Sequence, residues 1–256
     1  MKVVILAGGY GSRLGSITEL IPKPMVKIGN KPILWHIMKY YASFGHTDFV
    51  IGLGYKAEVI KEFFYNYDAA VNDFTIRLGS GDVTLHGAHQ EQDWTVTLID
   101  TGIDALKGAR IKRMEQFLGD VNLLTYGDGL ADVDLDALMK FHASHKKILT
   151  ISGVFPPARF GEVIAEKGKV KAFQEKPQTS AGRINGGFMI FNKELLPYLS
   201  EDEGCDLEVG IFPRLAAKGE MMVYEHDGHW ECIDNERDLN HLNRLWRDDL
   251  AFWKTW

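Results

Sequence analysis

A run of four apolar residues, Val3-Val4-Ile5-Leu6, opens into Ala7-Gly8-Gly9-Tyr10-Gly11-Ser12-Arg13-Leu14 and then, after a polar spacer, into Pro22-Lys23-Pro24. Val3, Val4 and Ile5 are β-branched, the pattern of a central strand in a parallel sheet. Gly8, Gly9 and Gly11 remove the side chains that would keep a ligand away from the backbone, so consecutive amide N–H groups can turn toward an anion. Arg13 and Lys23 supply fixed positive charge beside them, one a planar fork and the other a compact point charge. The stretch reads as a loop for a polyphosphate. The plainer reading is a tight strand-to-helix turn with a surface arginine.

Two better-known phosphate loops are excluded. A dinucleotide fold wants G-x-G-x-x-G, but counted from Gly9 the third glycine position is Leu14. A Walker loop wants G-x-x-x-x-G-K-[ST], which is absent.

Downstream, Ile33, Leu34, Ile37, Met38 and Tyr41 form a helical stripe within residues 32–44, with Gly45 placed as its C-terminal cap. A strand over 49–53 and a helix over 57–65 follow. Such alternation predicts an α/β fold, a Rossmann-like mostly parallel mixed sheet flanked by helices, whose ligands bind at the carboxyl ends of the strands. The chain reads as one domain over residues 1–256. Residues 74–85 read as a small β-hairpin insertion, structural or oligomeric rather than ligand-binding. Residues 94–99 return to a core strand, and 107–118 read as a helix with Ile111, Met114 and Leu118 inward. The strand over 121–126 ends in Gly127-Asp128-Gly129, where an uncrowded aspartate suits a hard cation or, more plainly, a turn. Later come strands over 148–154 and around Lys167-Gly168, a loop Asn185-Gly186-Gly187 ahead of a strand over 188–191, and helices over 207–217 and 237–253.

A net charge of −6 argues against a nucleic-acid groove and leaves small anionic ligands held by local basic residues. No apolar stretch approaches the roughly 18 residues of a membrane span, and the N-terminal run is too short for a signal peptide. A cytoplasmic location is expected. Cys205 and Cys232 lack metal-ligand spacing and read as free thiols.

The string L-A-G-G-x-G-[ST]-R-L followed by P-K-P resembles the nucleotide-binding signature of the sugar-1-phosphate nucleotidyltransferase family, which joins a nucleoside triphosphate to a sugar phosphate and releases pyrophosphate. Further blocks are similar, end to end, to the branch that joins CTP to glucose 1-phosphate. They are Lys31-Pro-Ile-Leu-Trp-His-Ile-Met-Lys39, Thr125-Tyr-Gly-Asp-Gly129, Phe173-Gln-Glu-Lys-Pro177, Asn185-Gly-Gly-Phe188 and Trp253-Lys-Thr-Trp256. The resemblance implies that Leu6, Ala7, Gly8, Gly9, Gly11, Ser12, Arg13, Lys23, Arg110 and Gly127 bind the nucleotide. It implies sugar-phosphate contacts at Gly161, Glu175, Lys176 and Asn185, and Mg²⁺ on Asp128 and Asp234. Arg13, Lys23 and Asp128 would be the catalytic residues, and the chain a homo-oligomer.

The chain departs from the family pattern at Leu207, Ile211, Asn235 and Glu236, which leaves open another base or another phosphorylated acceptor. A catalytically silent relative is the rival of another class; retention of Arg13, Lys23, Asp128 and Asp234 together stands against it. No Ser-His-Asp or Cys-His arrangement stands out. None is required, because a phosphate monoester with a second pKa of about 6 is already a nucleophile at neutral pH.

Overall fold

The computed structural model describes residues 1–157, 162–166, 169–174 and 182–256. Its centre is a seven-stranded sheet of β1 (Lys2–Ala7), β2 (Asp48–Leu53), β3 (Thr95–Asp100), β4 (Val121–Tyr126), β5 (Leu149–Val154), β6 (Ile184–Asn192) and β7 (Met221–Glu225). The spatial order is β7-β5-β6-β4-β1-β2-β3. β6 runs antiparallel to both neighbours, and every other pairing in the sheet is parallel. The expected mostly parallel mixed sheet is therefore present. The run that opens the chain sits near its middle, with Val3, Val4 and Ile5 at 0% exposure between β2 and β4.

The α-helices of six or more residues among the described residues are α1 (Ile33–Ser43), α2 (Ala57–Tyr65), α3 (Lys107–Arg113), α4 (Leu135–His145), α5 (Phe212–Ala217) and α6 (Glu236–Arg247). The stripe on α1 is buried as its spacing predicts, each aliphatic side chain contributing roughly 1.5–3 kcal/mol. Gly45 ends that helix at φ +82°, its N–H bonding the Ala42 carbonyl. α4 starts on Asp134, whose carboxylate accepts from the Ala137 N–H.

Four expectations are corrected. The helix expected over 107–118 stops at Arg113 and continues as a 3₁₀ turn, Glu115–Phe117. Residues 207–217 begin as a π-helical turn, Leu207–Ile211, before α5. Asn185 lies inside β6 rather than on a loop before it; Gly187 at φ +80° and a register shift opposite Ile151 and Gly153 disguise the continuing strand. The last helix ends at Arg247, not near residue 253. Asp249 turns left-handed at φ +57°, and the Leu250 N–H bonds back to the Leu245 carbonyl. That turn sends the C-terminal segment across α1, where Trp253 is fully buried.

The covering explains why α1 buries more than its stripe. His36, on the face away from the stripe, packs among Trp246, Trp253 and Trp256, with ring centroids at 4.6, 6.1 and 6.4 Å. Its Nε2–H donates to the Ile28 carbonyl and its Nδ1 accepts from the Trp253 indole. Burial pushes the imidazole down to about 4. The unfolded chain thus binds a proton below its ordinary value of about 6.5 that the folded chain refuses until about 4. Stability is full above that window and falls as pH drops through it, by about 3 kcal/mol from this residue. Denaturant midpoints at pH 7.5 and 4 read the loss, and His36→Gln, which keeps a donor for Ile28, should show a smaller one.

The hairpin forms from Asp73–Ile76 and Val83–His86. Cross-strand pairs Phe74–Leu85 and Ile76–Val83 place four apolar side chains together on one exposed face. No helix among the described residues is long and apolar enough to cross a membrane.

Candidate active site

β1 and β4 are parallel neighbours in register Leu6–Tyr126, so their carboxyl ends deliver Ala7-Gly8 and Gly127-Asp128 side by side. The Gly127 N–H bonds the Leu6 carbonyl and closes the two ends together. A short antiparallel ladder brings in the third wall: Trp230–Cys232 pairs with Gly129–Ala131, and the Ile233 N–H bonds the Asp128 carbonyl. Asp234 is thereby carried to Asp128. The result is a cleft of 420 Å³, lined among others by Gly8, Gly9, Gly11, Ser12, Arg13, Lys23, Arg110, Gly127, Asp128 and Asp234.

Lys23 sits between the two carboxylates, its Nζ 2.6 Å from Asp128 Oδ2 and 3.0 Å from Asp234 Oδ1. Arg13 reaches Asp234 from the other side, at 3.2 Å. The Lys23 side chain is 13% exposed and that of Arg13 76%, so the ammonium is fixed in the wall while the guanidinium stands at the mouth. Burial alone would lower the Lys23 pKa; Asp128 and Asp234 overcome it and hold the ammonium above its ordinary range. Burial likewise opposes ionisation of Asp234, and Lys23 and Arg13 reverse it. Gly11 makes room for this lysine. It adopts φ +64°, and a Cβ there would meet Lys23 Cβ at 2.9 Å.

The donor set suits a hard divalent cation. Among the described residues no three His, Cys, Asp or Glu side chains cluster as metal ligands. Two carboxylates with phosphate oxygens and water completing the shell is the usual manner of Mg²⁺ rather than of an all-protein cage.

Arg110 belongs to the cleft in a way its helix position does not announce. It is 5% exposed. Its guanidinium donates to the carbonyls of Leu53, Gly8, Gly102 and Ile103 and to the Thr101 hydroxyl, at 2.7–3.2 Å. Burial, then the neighbouring Arg113, lower its pKa. The arginine pins the ends of β1, β2 and β3 together under the loop. It also accounts for Gly8, where a Cβ would lie 2.2 Å from Arg110 Nη1. Gly9 faces open space, with nothing within 4 Å of the Cβ position, so of these two it is Gly9 whose backbone stands open to a ligand.

Residues 2–248 match the family described as nucleotidyl transferase. This chain belongs to that family. It is 45% identical over 258 residues to the glucose-1-phosphate cytidylyltransferase of Salmonella typhi, covering 100% of both chains. It is 40% identical over 257 residues to the probable glucose-1-phosphate cytidylyltransferase of Bacillus subtilis, again covering 100% of each. In fold it is similar to the crystal structure of HddC from Yersinia pseudotuberculosis, with a TM-score of 0.69 at 24% identity over 96% of this chain and 99% of that one.

In this nucleotidyltransferase three of the four departures from the family pattern fall on structural positions, and the fourth, Glu236, is exposed at the start of α6. Leu207 and Ile211 are 0% and 4% exposed within an apolar cluster. Asn235 caps α6 through a reciprocal pair of hydrogen bonds with Asp238. Gly161, Glu175 and Lys176 lie outside the described residues. Asn185 bonds the hydroxyl of Tyr126, which lines the cleft together with Lys107. Lys107 pairs with Glu208 at 2.9 Å. Lys107 and Glu208 carry no local signal: one opens a helix among other basic residues, and the other lies in a turn distant in sequence.

Proposed function

We propose that this chain transfers a cytidylyl group from CTP to α-D-glucose 1-phosphate, giving CDP-glucose and pyrophosphate, with Mg²⁺ held by Asp128 and Asp234. The observation that carries the reading is the convergence of both carboxylates on Lys23, with Arg13 at the mouth, beside the backbone of Gly8-Gly9. The full-length identity to relatives named glucose-1-phosphate cytidylyltransferase supports the base and the acceptor. The inward, apolar placement of Leu207 and Ile211 supports them too, since these departures do not face the cleft.

The chemistry asks little of a general base. The sugar phosphate is dianionic above about pH 6, so the obstacle is repulsion between anions and charge growth on the leaving pyrophosphate. Lys23 is fixed, ionised and close to both carboxylates, and its charge would serve the α-phosphate and the attacking oxygen. Arg13 has the freedom and the fork to close on the β and γ phosphates. The Gly9 backbone seats the nucleotide, and Asn185 addresses a sugar hydroxyl. Mg²⁺ supplies further positive charge to the phosphates when bound.

The direct check is pyrophosphate release with Mg²⁺ and glucose 1-phosphate, offering CTP, UTP, dTTP, ATP and GTP in turn. Release with CTP above all others is the expected result. Release with another base alone would overturn the choice of nucleotide, and silence with all five would overturn the acceptor.

A further inference from the structure

Tyr10 is the one residue of the stretch 8–11 with a side chain, and that side chain holds the loop from outside the cleft. Its hydroxyl donates to Asp104 Oδ1 at 2.7 Å, and its ring packs on that of Tyr55 with 5.2 Å between centroids. Gly9 and Gly11 on either side of it line the cleft, as do Ala105 and Leu106 just after Asp104, whereas Tyr10 and Asp104 are not lining residues. The bond therefore joins two walls without filling the space between them. One wall is tied down along its length: Arg110 takes the Gly102 and Ile103 carbonyls, and the Leu106 N–H bonds the Glu203 carbonyl. The other wall is anchored at two points. The Gly8 carbonyl accepts from the Tyr55 N–H and from Arg110, and the Gly11 carbonyl from the Leu14 N–H and the Thr18 hydroxyl. Among the described residues, the backbone N–H groups of residues 9–13 donate to no protein atom.

We propose that Tyr10 and Asp104 are positioning residues for the nucleotide: their hydrogen bond is a clasp that holds the loop 8–13 in the conformation that receives the phosphates, without lining the cleft themselves. This rests on the reading of the cleft as a nucleoside triphosphate site. The free N–H groups of residues 9–13 are the donors such an anion needs, and they act together only while they point the same way. A stretch with glycines at 8, 9 and 11 spreads over many backbone conformations when nothing holds it. A loop competent for only part of the time weakens the apparent affinity by that fraction. Tethering the single side chain of the stretch to the tied-down wall raises the fraction before the ligand arrives. The carboxylate acceptor makes the bond charge-assisted. Once a nucleotide is bound, its own contacts order the loop, so the clasp acts on binding and not on the chemical step.

The test is equilibrium titration of CTP with Mg²⁺, without the acceptor, into wild type, Tyr10→Phe, Asp104→Ala and the double variant. Tyr10→Phe keeps the ring on Tyr55 and removes only the donor. Each single variant is expected to raise Kd about three- to tenfold. The double variant should bind no more weakly than the worse single, since both remove one bond. Asp104→Asn keeps an oxygen that accepts and should stay within about twofold of wild type. At saturating CTP, kcat should hold within about twofold in every variant. A role in stability alone would move the denaturant midpoint and leave Kd in place. Unchanged Kd in both single variants, or losses that multiply in the double one, would overturn the clasp. Tighter binding would overturn it as well, by showing that the bond bars the nucleotide. If wild type binds another nucleoside triphosphate in place of CTP, the base alone is corrected, and the same ratios measured with that nucleotide decide the clasp. If wild type binds none, the reading of the cleft falls and the clasp with it.

Discussion

Asp128→Asn is expected to lower kcat by roughly 10²–10³-fold with the fold intact. The side chain is isosteric, and the site loses one of the two carboxylates that meet at Lys23. The Asp128 carboxylate is 32% exposed and Lys23 keeps Asp234 at 3.0 Å, so the change in denaturant midpoint should be small. Single-turnover measurement at saturating CTP separates this from weakened binding, since an interaction made chiefly in the transition state lowers kcat and kcat/KM together. Full activity in the variant would remove Asp128 from the proposed metal pair. Titration of Mn²⁺ in the presence of CTP gives a second readout, with the variant expected to bind the metal at least tenfold more weakly.

Arg110→Met is expected to have the largest effect on stability, a loss of about 3–5 kcal/mol by chemical denaturation. Five hydrogen bonds from a buried guanidinium disappear at once. The damage is limited at two acceptors: the Leu53 carbonyl retains the Thr101 N–H and hydroxyl, and the Gly8 carbonyl retains the Tyr55 N–H. Arg110→Lys should lose nearly as much, because one ammonium cannot span carbonyls that the fork joins in different directions. An unchanged midpoint in Arg110→Met would show that the strand ends hold without the arginine. The same variant should raise KM for CTP, since the arginine lies under the Gly8-Gly9 backbone that the nucleotide would use.

Much of this was legible in one dimension. Alternation of a β-branched run, a glycine turn and a helical stripe specified parallel strands with α1 and α2 between them, because side-chain periodicity reports directly which face an element buries. The site's location followed from the same pattern, since a parallel sheet opens its ligand cleft at strand carboxyl ends and both Gly8-Gly9 and Asp128 end such strands. Asp234 was recognisable only by the resemblance of its motif.

What the tertiary structure decided is the identity of partners. Lys23 meets Asp234 across 211 positions, and Tyr126 meets Glu208 across 82. Arg110 turns inward to carbonyls rather than outward to solvent, so Gly8 is small for the sake of an arginine and Gly9 for open space. The left-handed Asp249 sends Trp253 and Trp256 over His36, beside Trp246 of α6, where a continuous helix would have carried them away. Periodicity encodes burial, which depends on a residue's neighbours along its own element. Hydrogen bonds and ion pairs depend on distance in space, and that is set only when strand order, bulges and turns have brought remote segments within about 3 Å of one another.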